Sequence, residues 1–302
     1  MRKQLCDALV ARSARPEMVF LTGDLGFMAL EPLQKAMGPR FINAGVAEQN
    51  MISVAAGLAG QDLEVWVYSI APFCYARPFE QIRNDIAFHN LPVKLIGNGG
   101  GYGYGVMGPT HHAIEDYGVM LSLPNLSVYI PAFDQDMDAV IARAGASNRP
   151  AYIRIGRGEP PKDYSVPAYA PWRQLTAGNG PVVIVAGPLA GIYIDACAQR
   201  APDSRPNLWV VAELPIELNP LPAELLAQIE KTPTLCVVEE HVRHGGFGSD
   251  LLLDLAGRGI AVRRFRHLYA RAHHFDRYGS QAYLRKLSGL DVDSMLAALA
   301  GS

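Results

Sequence analysis

The sequence has no close pair of cysteines. Its four, Cys6, Cys74, Cys197 and Cys236, lie far apart and none belongs to a CxxC pair. That excludes a disulfide framework of the kind that staples small secreted domains, and it excludes a thiolate zinc site. Such usage fits a reducing cytoplasm. Long apolar runs are missing too. The longest, PVVIVAGPLAGIYI, is broken by glycine and proline and is too short to span a bilayer. The opening MRKQLCDALVARSARPE spaces its apolar residues among charges and lacks the unbroken apolar centre of a signal peptide. Charge of one sign is not in excess either: 27 Lys and Arg against 29 Asp and Glu give a formal net charge of -2. The basic residues are scattered, which leaves no footprint for nucleic acid or an anionic membrane. With no internal repeat, low-complexity tract or heptad seam, the reading that remains is a cytoplasmic globular protein. Its partners are small molecules or other proteins.

What is present is ample core material. At 302 residues and 49% hydrophobic, the chain is long enough for two domains. Helix-like and strand-like segments alternate from the start: RKQLCDALVARS, MVFLTGD, LEPLQKAM, RFINAG, QNMISVAAGLAG, LEVWVYS. The strands are short apolar runs without alternation, as expected when both faces of a sheet are covered. The pattern continues with a helix near 76–89, the strand PVKLIG, a glycine-rich loop, a helix near 113–122, the strand LSVYIP, a helix from about 134 and the strand AYIRIG. Prolines then crowd the stretch between Gly156 and Gly180 and predict neither regular helix nor central strand there. Alternation resumes with PVVIVAG, NLWVVAE, TLCVVEE and IAVRRF, separated by helices near 190–200, 222–230 and 247–257. The expected fold class is therefore α/β, with two parallel-sheet domains at 1–158 and 181–302 joined by a linker at 159–180.

In open parallel sheets, ligands collect beyond the carboxyl ends of the strands, so the loops there carry the candidates. Three stand out: GDLG, NAGVAEQN and NGGGYGYGVMGPTHH. The glycine-rich loop fails as a dinucleotide fingerprint. Tyr102 breaks the GxGxxG spacing, no helix opens directly after it, and no acidic ribose partner follows at the right offset. What remains is a loop whose glycines let backbone approach a ligand or a neighbouring chain closely. In GPTHH, position favours His111 for proton transfer, because imidazole titrates near neutrality, while His112 caps or packs. HVRH at 241–244 and RAHH at 271–274 lack acidic or sulfur companions at a recognised spacing, so no metal site is expected. Glu48 stands at the mouth of the apolar run MISVAAGLAG. Taken alone, it either caps that helix, gaining about 0.3–1 kcal/mol from the dipole, or is completed by a ligand.

Taken together, NAGVAEQNMISVAAGLAG, SIAPFCYARPFEQIRND at 69–85 and GVMGPTHHAIEDYGVMLSLPNLSVYIPA at 105–132 resemble the pyrimidine-binding domain of transketolases and their relatives, the deoxyxylulose-phosphate synthases. The second half, including VVEEHVRHGGFGSDL at 237–251, resembles their C-terminal domain. The resemblance implies thiamine diphosphate as cofactor, with Glu48 meeting the pyrimidine ring and controlling its proton. It implies that Phe73 or Tyr75 stacks on the pyrimidine, that His111 stands near the reacting carbon, that Arg157 holds the substrate phosphate, and that Arg77 faces the substrate channel.

Single-chain relatives carry a GDG motif and a downstream Asn that hold magnesium and diphosphate, and no GDG occurs in these 302 residues. With Met1 just ahead of the pyrimidine domain, the chain is expected to be half an enzyme. A separate N-terminal subunit would supply diphosphate and Mg sites in an α2β2 or larger assembly, acting on sugars or sugar phosphates. Two departures set the substrate apart. Met107 stands where transketolases have an acidic residue in GEDG, and a histidine that helps hold phosphate aligns near Gly99. The leading expectation is ketol transfer from a ketose to an aldose. The alternatives are a deoxyxylulose-phosphate-synthase-like carboligase, the β subunit of a 2-oxoacid dehydrogenase (against which GPTHH argues), a non-catalytic scaffold subunit and a stand-alone sugar-binding protein.

Overall fold

The computed structural model describes residues 1–300. Its first half supplies the strands β1 (Met18–Thr22), β2 (Phe41–Asn43), β3 (Glu64–Ile70), β4 (Lys94–Asn98), β5 (Ser127–Tyr129) and β6 (Ala151–Ile155). The second half supplies β7 (Trp172–Thr176), β8 (Val182–Ala186), β9 (Asn207–Val211), β10 (Glu213–Leu214), β11 (Thr234–Glu239) and β12 (Arg264–Tyr269). Two sheets result, ordered β10-β5-β6-β4-β3-β1-β2 and β12-β11-β8-β9-β7. All pairings are parallel except β10 with β5 and β7 with β9, each at a sheet edge. β1, β4, β6, β8, β9 and β11 are buried along their whole length, which is why they read as mostly apolar runs, interrupted by the buried charges Lys94, Arg154 and Glu239.

Helices cover both faces of the first sheet. On one side, Glu48–Ala59 buries Met51, Ile52, Ala55, Ala56 and Ala59, a stripe at helical spacing. On the other, Arg2–Arg12 and Met137–Ala146 bury Leu5, Leu9, Val140 and Ile141 beneath β1, β3 and β6. Full burial of each large aliphatic contributes about 1.5–3 kcal/mol.

The structure departs from the sequence expectations in three places. The helix expected near 76–89 is broken into Ala71–Tyr75, Phe79–Gln81 and a π-helical turn at Ile82–Ala87. Pro72 opens the first piece and Pro78 caps the second, because neither can continue a preceding helix. The proline-rich linker contains β7, an antiparallel edge strand of the second sheet, where neighbouring prolines are tolerated. The last strand is shifted, RFRHLY at Arg264–Tyr269, so only the last two residues of IAVRRF belong to it and it runs four residues further.

The two halves meet over a buried polar seam. Val242 N–H donates to Ile114 O at 2.7 Å, and Arg154 Nη2 donates to Glu240 O at 2.8 Å. Gly101, at φ +66°, lies so close to the Glu240 carboxylate that a Cβ would collide with it. The glycines of this loop thus admit the chain's own second half. No helix among the described residues is long and apolar enough to cross a membrane.

Candidate active site

The loops that carry the sequence candidates all leave the carboxyl edge of the first sheet. Glu48 follows β2, Ala71–Tyr75 follows β3, His111 follows β4 and Arg157 follows β6. Glu48 is the first residue of its helix and is 5% exposed. The helix's positive end favours a carboxylate there, yet Glu48 does more than cap. Its Oε1 accepts a hydrogen bond from Arg77 Nη1 at 2.8 Å. The Arg77 guanidinium carbon also lies 3.7 Å from the centroid of the Phe73 ring. Phe73 meets the His111 ring edge-on, with centroids 5.1 Å apart.

Glu48, Arg77, Phe73 and His111 therefore form one continuous group. A cavity of about 360 Å³ opens beside it, lined by Val46, Ala47, Glu48, Gln49, Asn50 and Arg77. Gly23 lies between Glu48 and Ser69, since a Cβ there would be 3.9 Å from Glu48 Cγ and 3.8 Å from Ser69 Oγ, and this buried hydroxyl has no hydrogen-bond partner among the described residues. A buried orphan of this kind fits a site that an incoming ligand completes.

His111 is half-buried, with Thr110 Oγ1 2.9 Å from its Nδ1. Burial first, and the Arg77 charge second, hold its pKa below the ordinary histidine value. Both effects favour the neutral imidazole, and Nδ1 rather than Nε2 is the ring nitrogen that Thr110 engages. Tyr75 lies elsewhere. It is buried with its hydroxyl 3.4 Å from Glu115 Oε2, on a short helix where residues two apart point to opposite sides. Phe73 is thus the aromatic that faces Glu48 and His111.

Arg157 is exposed and stands in a neighbouring cavity of about 180 Å³ that also includes Arg2, Asn98 and Tyr104. Tyr104 links the two places, its ring 6.3 Å from that of His111. Tyr104, Asn98 and Arg2 carried no signal of their own in the sequence. His112 is fully enclosed against Tyr102 and His273, and among the described residues its ring nitrogens have no well-formed hydrogen bond beyond the pull of the His273 backbone. Of the histidines of HVRH and RAHH, His241 and His273 bridge the seam, His274 contacts its own half and His244 is exposed. His241 Nε2 accepts from Gly118 N–H at 3.1 Å, His273 pairs with Glu115 at 2.6 Å, and His274 contacts Ser288 at 3.0 Å.

Exposed apolar side chains stand in loops at the same carboxyl edge of the sheet: Val46 beside Glu48 after β2, Phe27 and Met28 after β1, and Val106 and Met107 after β4. Solvated patches of this kind mark interaction surfaces.

Comparison with known proteins gives a consistent set of likenesses. The sequence matches the family described as the transketolase pyrimidine-binding domain over residues 5–162. It is 30% identical over 274 residues to one of the subunits of the apulose-4-phosphate transketolase of Actinobacillus succinogenes, covering 88% of this chain and 86% of that one. It is 34% identical over 270 residues to 1-deoxy-D-xylulose-5-phosphate synthase 2 of Geobacter sulfurreducens, covering 85% of this chain. It spans only 41% of that synthase's length. A solved structure described as a split gene transketolase, inactive beta4 tetramer, superposes with a TM-score of 0.84 at 28% identity, over 99% of this chain and 96% of that one.

Proposed function

The chain belongs to the transketolase family, as a split-type C-terminal section, and from that premise we propose that it transfers a two-carbon ketol unit from a ketose to an aldose with a partner subunit. Thiamine diphosphate is the family's cofactor. When bound, it supplies the electron sink that lets a carbon–carbon bond beside a carbonyl break and re-form.

The observation that carries the reading is the seat of Arg77. A flat, nitrogen-bearing cation rests on the Phe73 face and donates to a buried carboxylate. An aminopyrimidine has the same demands, a π-face to stack on and an acceptor for a ring nitrogen, so these residues fit it. Glu48 would hold the ring nitrogen and its proton, Phe73 would stack, and Arg77 would turn toward the substrate channel. Neutral His111 would move a proton at Nε2, and Arg157 would bind the substrate's far end, as a guanidinium fork suits a phosphate.

We assign the diphosphate and magnesium sites to an N-terminal partner subunit, in a cytoplasmic α2β2 assembly that places the cofactor between the two chains. The exposed apolar side chains at this edge of the sheet support this, since a partner would cover them. So does the description of the similar split-gene structure as an inactive tetramer of β chains.

The test is reconstitution. The chain is mixed with a GDG-bearing partner, thiamine diphosphate and magnesium, and ketol transfer is assayed. Glu48→Gln should lower the rate by about 10²–10⁴-fold, the range for losing a positioned proton-transfer group. Rates that agree within about twofold would remove Glu48 from the chemistry.

A further inference from the structure

The second half of the chain holds a cavity of about 320 Å³ that no residue assigned to ketol transfer lines. It lies between Ile192, the helix Gln281–Leu287 and the start of the helix Val292–Ala300. Its volume falls at the small end of the roughly 300–1,000 Å³ of ligand pockets. Part of the lining is aliphatic: Ile192, Leu290 and Val292. The Tyr193 hydroxyl donates to Leu290 O at 2.6 Å, which fixes the backbone of this floor.

The rest of the lining is charged, with equal numbers of each sign. Arg285 and Lys286 bring two cations, Asp291 and Asp293 two carboxylates. Among the described residues none of the four pairs with another across the space. Arg285 is only 8% exposed, and the buried Glu240 holds its Nε and Nη2 at 3.1 and 2.7 Å. Its Nη1 makes no hydrogen bond to a described residue, so a preorganised, largely desolvated cation keeps one nitrogen to spend. Asp291 is fixed by Ser294, whose N–H and Oγ donate to it at 3.1 and 2.7 Å. The exposed Lys286 and Asp293 side chains have no hydrogen bond or ion pair among the described residues.

This chemistry excludes most small ligands. Two carboxylates repel a nucleotide or a sugar phosphate, and no aromatic ring lines the space for a base to stack on. Two cations repel a metal ion. A fatty acid would satisfy the cations and leave Asp293 facing it. A molecule with one anionic end, one cationic end and a short apolar body meets every group.

We propose that this cavity binds a free α-amino acid with an aliphatic side chain. Its carboxylate lies on Arg285 and Lys286, its ammonium at Asp293, and its side chain on Ile192, Leu290 and Val292. The proposal does not depend on ketol transfer, although the site is one helix away from the candidate active site. Leu284, the neighbour of Arg285, packs so closely on Gly105 that a Cβ there would collide with it, and Gly105 lies in the loop that leads to His111.

Calorimetric titration of the full chain with leucine tests the proposal. Three truncated probes accompany it: 4-methylpentanoate lacks the ammonium, 3-methylbutylamine lacks the carboxylate, and glycine lacks the side chain. Leucine should bind with a Kd of about 1 mM or below, and each truncated probe about tenfold more weakly. Lys286→Met and Asp293→Asn change exposed side chains and leave the Glu240–Arg285 pair in place. Each should weaken leucine about fivefold, the upper end for a solvent-facing ion pair, with the melting temperature unchanged. In NMR spectra of the isoleucine methyl groups, the Ile192 resonance, identified by its loss in Ile192→Val, should move on leucine addition.

No binding of leucine at about 10 mM, equal binding of the truncated probes, wild-type affinity in both charge variants or an unmoved Ile192 resonance would overturn the proposal. Leucine binding that needs both charged ends and moves Ile192 sustains it, whether or not the reconstituted enzyme transfers a ketol group.

Discussion

Two carboxylates, Glu48 and Glu240, are almost equally buried, at 5% and 3% exposed, yet their surroundings are opposite. Glu240 lies in the seam between the two halves of the chain. It accepts from Tyr102 N–H at 2.9 Å, from Gln281 Nε2 at 3.1 Å, and from Arg285 Nη2 and Nε at 2.7 and 3.1 Å. Burial alone would raise its pKa, but Arg285 and Arg154 outweigh that and hold it below the usual carboxylate range. Among the described residues Glu48 has one partner, Arg77, whose side chain is 45% exposed. A carboxylate with its lone pairs taken by buried donors fixes a structure. One held by a single solvent-facing donor can exchange that partner for a ligand.

The largest effect that would break this contrast is in stability. Glu240→Ala leaves Arg285 and the Tyr102 N–H buried without their acceptor, and should cost about 3–5 kcal/mol in urea unfolding. Glu48→Gln should change stability by less than about 1 kcal/mol, because its partner is half in water. Equal costs would mean that the two sites are not different in kind.

Between these extremes sits His112, enclosed like Glu240 but without Glu240's partners. Burial first, then the His273 and His274 rings, push its pKa down to about 4, against weaker pulls from the His273 backbone and then Glu115. The unfolded chain takes up a proton below about pH 6.5 that the folded chain refuses. Stability therefore falls as pH drops from about 6.5 toward 4, by roughly 1–3 kcal/mol once solvent screening at the seam is allowed for. His112→Phe keeps a ring against Tyr102 and cannot be protonated, so it should flatten this part of the profile. A mutant profile that overlays the wild type would show that water or another group satisfies the imidazole.

The same contrast explains what could be read from the sequence. β1, β4, β6, β8, β9 and β11 were legible because burial on both faces leaves a mostly apolar signature without alternation. β7 was hidden among prolines that an edge strand tolerates, and the half-exposed β12 carries a weaker pattern. Glu48 and His111 stood out because each is a charged or titratable side chain in a loop after an apolar strand. The choice between Phe73 and Tyr75 needed the helical turn at Ala71–Tyr75, which sends one toward Glu48 and the other toward Glu115. Tyr104 and Arg2 lie far apart in sequence and have no meaning until the fold brings them to one cavity.

The smallest effect sharpens the comparison most, because it isolates the exchangeable partner. Arg77→Met should cost well under about 1 kcal/mol of stability, as expected for a half-exposed ion pair. It also removes the cation that helps keep His111 below its ordinary pKa, after burial. The His111 titration, followed by NMR, should therefore move up toward the usual histidine value without reaching it, since burial remains. Glu48 would at the same time lose its only donor among the described residues and the Phe73 face would be uncovered. An unmoved His111 titration would mean that Arg77 does not stay over Phe73 in solution, and the likeness between its guanidinium and a stacked pyrimidine would then have no basis.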